Sequence, residues 1–528
     1  MKNVYIFTGL VFILAASRLF IACDQPTSNS SGNNTPAQTC TIAFSANGGT
    51  PEPQFQIVNK GDKVTEPAAM SKDGYGFGGW YKEAACTNQW DFDIDAVTKN
   101  ITLYAKWEAP TLVPGANFNQ KLQWLASNAQ SGGFYTIEVD SDLSIGPITL
   151  SYNDKSNITI SLIGIGPTRV ISLNDSGSLF TVQSGVTLIL DDNLTLQGRD
   201  SNSASLIQVN SGASLIVNTG ITITGNTTSS NGGGVYVNDG SFTMNSGKIS
   251  GNTASSSGGG GVYMSSGIFT MSGGQISGNI SSSLGGGVYV NDGTFSMSGG
   301  QISGNISSSS SSLGGGVYVN SSISFTMNGG AISGNKASYG GGLYVAGTFS
   351  MNSGEISGNT ASSSSSFGGG VYVCGGSFTM NGGKISGNTA SFYGGGVDII
   401  GTFTMNNGEI SGNTVTLYGG GVYFAGTFNM NGGTISDNTA ALYGGGVYVY
   451  GGQFNKTGGT IFGYSASDTD SNVVKTTGVV QQNHGHAIHV NSSNTIYIMG
   501  RDTTSGPDDN LSFDGYTNPP SYSGLWDY

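Results

Sequence analysis

The chain has 528 residues, of which 88 are Gly and only 9% are charged, and its net charge is −13. An acidic chain without clustered Lys and Arg cannot neutralise phosphates, which excludes nucleic acid as a partner. So much Gly belongs to disordered tracts unless apolar residues hold fixed offsets; 37% of this chain is apolar and does so, which points to order.

At the N-terminus, Lys2 precedes an apolar stretch over 4–16, and Leu19, Phe20, Ile21 and Ala22 lead to Cys23. A positive start, an apolar centre and a small residue before the cut describe an export signal over 1–22. The run is too short and too interrupted for a membrane span. Cys23 after Ala22 resembles a relaxed bacterial lipobox, with Phe20 where Leu is usual. The resemblance implies cleavage before Cys23 and acylation of its thiol. It places the protein in the bacterial cell envelope, tethered by lipid to the outer membrane and exposed at the surface. Residues 23–39 are polar and read as a tether.

From 40 to 107 the composition becomes rich in aromatic and charged residues, with Trp80, Trp90 and Trp107 supplying a core that a small domain otherwise lacks. An alternating start at Thr41, Ile42, Ala43 and Phe44 is followed by the turn Asn47-Gly48-Gly49, the run GYGFGGWY over 74–81, and NITLYAKW over 100–107. In this order the motifs resemble the Listeria-Bacteroides (internalin B-repeat) domain. That likeness implies a small β-grasp-like module used as a spacer or adhesion unit. Export permits a disulfide, and Cys40 with Cys86 is the one pair inside a single candidate domain. Residues 108–116, with Pro110 and Pro114, read as a linker.

Over 117–130, Phe118, Leu122, Leu125 and Ala129 keep helical spacing, which predicts an amphipathic helix capping an open core, with Trp124 at its edge. Short apolar runs up to residue 225 read as irregular first coils. From 226 to 460 the unit is GGGVYV, FTM, ISGN and a Ser/Thr/Ala loop, about twenty-six residues long; its variation in length is absorbed by Ser before GGG. Each apolar run has a period of two, and no unit can bury its residues alone. Copies stacked about 4.8 Å apart would share one core, with Gly in the turns and Asn252 to Asn438 forming a ladder at one corner. The predicted fold is therefore mainly β: a right-handed parallel β-helix, about three strands per coil, preceded by the β-grasp-like domain. The repeats resemble Gly-rich β-helix repeats of polymorphic outer-membrane adhesins. Residues 461–528 would be last coils and a cap.

If the Val residues of VYV point inward, Tyr236, Tyr263, Tyr289, Tyr318, Tyr344, Tyr372, Tyr423 and Tyr448 form one outward line. Two readings stand: a stripe that stacks on sugars or docks a protein, and a stack that stiffens the coil. Glu355, Lys384 and Glu409 share a repeat position and predict an alternating-sign outer ladder. Asp398 takes a Tyr position. His484, His486 and His489 are the only His residues, weak metal candidates better read as part of a closing coil. No cofactor is expected. The function so predicted is a non-catalytic surface lipoprotein, in adhesion to glycan or host matrix or in a structural coat. Its rival is a carbohydrate-active β-helix enzyme, whose chemistry needs converging carboxylates that the repeats do not repeat.

Overall fold

A computed structural model describes residues 38–464 apart from isolated loop positions, 470–481, 486–491, and the backbone of 496–500 and 511–513. The export signal, Cys23, nearly all of the tether, His484 and most of the C-terminal cap lie outside the described residues. Among the described residues no helix is long and apolar enough to cross a membrane.

The N-terminal module is a mixed four-stranded sheet of β1 (Thr39–Ser45), β2 (Gln56–Asn59), β3 (Gly76–Tyr81) and β4 (Ile101–Glu108), in the order β2-β1-β4-β3. β1 and β4 run parallel at its centre and the outer pairs are antiparallel. Ile42, Phe44, Trp80, Trp90 and Leu103 form its core, with the Phe44 and Trp80 rings 5.0 Å apart edge to face. Trp107 is only half-buried; its indole N–H donates to the Ala46 carbonyl at 2.8 Å.

The segment expected as a linker is tied down. Thr111–Leu112 (β5) pairs in parallel with Phe134–Val139 (β6), the first strand of the solenoid, and Val113 enters the solenoid core. Gly76 of the module packs so closely on Phe134 that a Cβ there would fall 2.6 Å from the Phe134 Cβ. The helix α1 (Phe118–Asn128) forms as its spacing predicts, with Asn117 accepting from the Gln120 N–H at its N-terminus. Phe118, Leu125 and Ala129 plug the end of the core, and Trp124 meets Tyr135 edge-on.

The rest is a parallel β-solenoid. The VYV and FTM segments of successive coils build a 25-stranded sheet, the Ile-Ser segments a 13-stranded sheet, and the Thr-Ala segments an 11-stranded sheet. Each coil thus places four short strands on three faces. In Val235–Met244, Val262–Met271, Val371–Met380 and Val397–Met405 the first two fuse into one. Like residues meet like: Phe325 pairs with Phe349, Ile332 with Ile356, Ala337 with Ala361. The period of two sends Phe, Met, Val and Ile inward, where all are fully buried. Phe242 to Phe454 stack in one column with ring centroids 4.5–5.1 Å apart and planes within 20°. The strand spacing itself imposes this distance, and offset rings gain from it.

Two devices set the corners. Asn252, Asn279, Asn305, Asn335, Asn359, Asn388, Asn413 and Asn438 are fully buried, and each side-chain amide donates to the next Asn Oδ1 at 2.9–3.1 Å. The same amide donates to an Ile carbonyl of the coil before, so the corner leaves few backbone groups unsatisfied. The ladder runs on into Asn226, Asn202 and Asn472, outside the regular repeats. The first Gly of each GGG has positive φ, as Gly314 at 65°, whereas the second and third have no room for a Cβ against the next coil.

Candidate functional site

The Tyr residues occupy the outer side of the VYV strands in one register, Tyr236 to Tyr263 to Tyr289 and onward, interrupted by Asp398 and ended by His489 against Tyr448. Neighbouring rings lie 4.9–5.4 Å apart, some stacked and some edge-on. They are not an open stripe. Tyr263, Tyr318, Tyr344, Tyr372, Tyr423 and Tyr448 are 4–9% exposed; only Tyr236 and Tyr289 are half-buried. Burial pushes the Tyr263 hydroxyl up to about 12 and raises Tyr289 and Tyr318 also.

What covers them is a second outer row that sequence reasoning missed. Leu284, Leu313, Tyr339, Phe367, Tyr393, Tyr418 and Tyr443 stand just before GGG, pair coil to coil in parallel bridges, and lean over the Tyr line. Tyr393 stacks on Tyr423 at 4.4 Å and Tyr418 on Tyr448 at 4.8 Å. This second row is half-buried, so it presents an aromatic ridge to solvent, with Tyr450 beside it 44% exposed. Its signal was available: an aromatic residue or Leu precedes nearly every GGG.

Asp398 breaks the line chemically. Its side chain is 1% exposed, its Oδ1 finds no hydrogen-bond partner, and loss of solvent holds its carboxyl well above the usual range. Tyr372, Tyr393 and Tyr423 lie near enough for its charge to oppose their ionisation. With the folded pKa raised, the native state keeps a proton that the unfolded chain releases above about pH 4, so stability falls as pH rises from there toward the folded value. Asp398→Asn should therefore raise the Tm at pH 8 and not at pH 4; one poorly satisfied buried acceptor is worth about 1–3 kcal/mol. Thermal unfolding at the two pH values checks this, and equal shifts would contradict it.

The charge ladder is in place. Glu355, Lys384 and Glu409 are in register, and the Lys384 ammonium meets the Glu409 carboxylate at 2.9 Å with both side chains well exposed. The Ser411 hydroxyl and then Lys384 hold the Glu409 carboxyl below its usual range. Glu409 and Asp470 line a shallow hollow of about 640 Å³ with Thr434, Ser436 and Phe462. Beside it, burial and the Asp470 charge push Asp437 upward.

Two described His residues do not converge. His486 is buried and its Nδ1 accepts the Val474 N–H at 2.9 Å, while His489 stacks on Tyr443 and Tyr448. They occupy the second Gly and the Tyr positions of a degenerate GGGVYV, a reading available from the run HAIHV. No group of three His, Cys, Asp or Glu is gathered for a metal among the described residues.

Cys40 and Cys86, the one candidate pair within the module, are free thiols. β1 and β4 explain it. Cys40 precedes the Ile42–Ile101 pair, whereas the Cys86 Sγ points to the Ala105 carbonyl near the other end of β4. Six residues of strand are about 20 Å, far beyond disulfide reach. Cys374, also free, adjoins Tyr344 and Tyr372.

With the mixed sheet in view, the comparison with known proteins is specific. Residues 41–106 match the Listeria-Bacteroides repeat domain. Two curated relatives from Evansella cellulosilytica align with parts of the chain. One, named as a membrane protein, is 40% identical over 68 residues, 13% of this chain and 10% of its own. The other, named as a Gly-rich membrane protein, is 33% identical over 104 residues, 20% of this chain and 10% of its own. The chain thus spans about a tenth of the length of these relatives.

Proposed function

We propose that this protein is a non-catalytic rod of the bacterial cell envelope, held by lipid at Cys23, whose aromatic ridge makes contact with glycan or protein surfaces. The observation that carries the reading is the ridge itself: Tyr339, Phe367, Tyr393, Tyr418 and Tyr443 follow one another coil by coil, half-exposed and backed by the buried Tyr line. Rings already stacked on a rigid support lose little freedom on binding, which is what an adhesive surface requires. The membrane names of the two relatives and the repeat-domain match support an envelope location.

The hollow lined by Glu409, with Asp437 beside it, favours a second reading, a carbohydrate-active enzyme, since Glu409 held below and Asp437 pushed above their usual ranges have the pattern of a base and acid pair. One experiment separates the two. The purified protein is applied to an array of glycans and matrix proteins and incubated with a polysaccharide panel with and without Ca²⁺. Tyr393→Ser with Tyr418→Ser should reduce array binding about tenfold with the ladder cores intact. Release of reducing ends, lost in Glu409→Gln, would establish the enzyme instead.

A further inference from the structure

The module and the solenoid enclose a cleft of about 380 Å³. Its size and its place between two folded units are those of a ligand site. One wall comes from the module: Tyr75, Phe77 and Trp107. Tyr75 is 45% exposed, with the Lys72 ammonium 4.9 Å from its ring, and the Phe77 and Trp107 rings pack 5.3 Å apart behind it.

The other wall is the outer face of the first coils, where the pairing register creates two columns side by side. Thr159, Thr187, Ser214 and Ser241 are aligned, and Ile189, Ile216 and Thr243 run next to them. Four rungs at the strand spacing span about 14 Å. These positions are half-buried, and their hydroxyls take no hydrogen-bond partner among the described residues. The rigid strand β5 and the Gly76–Phe134 contact hold the walls at a set distance.

We infer that this cleft binds a neutral oligosaccharide. Sugar rings present C–H faces and hydroxyl edges together; three aromatic rings and the Ile column suit the first, the hydroxyl column the second. Every lining side chain is uncharged at neutral pH, and the Lys72 ammonium behind Tyr75 already donates to the Asn47 carbonyl, so the lining itself offers no counter-charge to a phosphate, sulfate or uronate. The site is separate from the aromatic ridge, and binding at either leaves the other untouched.

The test is calorimetric titration of the full mature chain with cellotetraose, mannotetraose, chitotetraose and, as a charged control, tetragalacturonate. At least one neutral tetrasaccharide should bind, with affinity reduced about tenfold in Tyr75→Ser and in Thr187→Val. The Tm of both variants should stay at the parental value, because Tyr75 is exposed and Val matches Thr in shape. Tyr418→Ser on the ridge should bind as the parent does, which keeps failure here distinct from failure of the ridge. Absence of binding by all three neutral sugars at millimolar concentration would overturn the inference. So would binding that is unchanged in both cleft variants, or tetragalacturonate as the preferred ligand.

Discussion

Asn335→Leu is expected to melt the coils on both sides of residue 335 well below the parental transition. The Asn335 Oδ1 accepts from the Asn305 backbone N–H and side-chain amide, both at 2.9 Å, and its own amide donates to the Ile302 carbonyl at 2.8 Å. Leu fills the space but leaves the Asn305 backbone N–H, one of the Asn305 amide hydrogens and the Ile302 carbonyl without these partners in a corner without solvent access. Each stranded group costs about 1–3 kcal/mol, so the sum approaches the whole stability of an ordinary domain. Because a solenoid is held by nearest-neighbour contacts, the loss should appear first in hydrogen exchange of adjacent coils rather than as uniform softening. Asn335→Asp keeps an acceptor and loses the donor, so it should recover partly in acid, where the carboxyl carries a proton. Exchange rates in the neighbouring coils that match the parent would refute the structural role of the ladder.

Gly315→Ala and Gly304→Ala should differ sharply although both lie in Gly turns less than one coil apart along the chain. At 315 a Cβ would sit 2.3 Å from the Gly341 carbonyl oxygen and 2.6 Å from the Lys336 carbonyl carbon, both backbone atoms of the next coil. Neither can move without opening the sheets, so a cost of about 3 kcal/mol, the upper end of overpacking, is expected. At 304 the φ is +62° with nothing within 4 Å of the added carbon. Only local backbone strain of about 1–2 kcal/mol remains there. The protein already tolerates this at Asp437, where a non-Gly residue holds φ +53° in the same place of the repeat. Urea titration followed by pulsed proteolysis measures both; equal losses would show that close approach between coils is not what selects Gly.

Most of the solenoid was legible because its interior is built by repetition. Phe, Met and Ile at fixed offsets leave one arrangement in which all are buried, and the Asn ladder follows from the same stacking. The capping helix was equally readable from Phe118, Leu122 and Leu125. The candidate sites were less so. The Tyr line lies on the predicted outer face, yet its burial depends on the side chains just before GGG, which share no run with it and meet it only across the turn. The His pair looked like a metal spacing because a degenerate GGGVYV hides its register.

Local pattern therefore decided which residues turn inward, since alternation and turn chemistry act within a few positions. Tertiary structure alone decided three other things: which outward rings are covered, that Cys40 and Cys86 stand at opposite ends of one sheet, and that Thr111–Leu112 within 108–116 pair with the first strand of the solenoid. Each depends on contacts between segments whose spacing along the chain carries no record of their distance in space. The cleft between Tyr75 and Thr187 belongs to the same class, because its two walls meet only once the module has docked on the first coils.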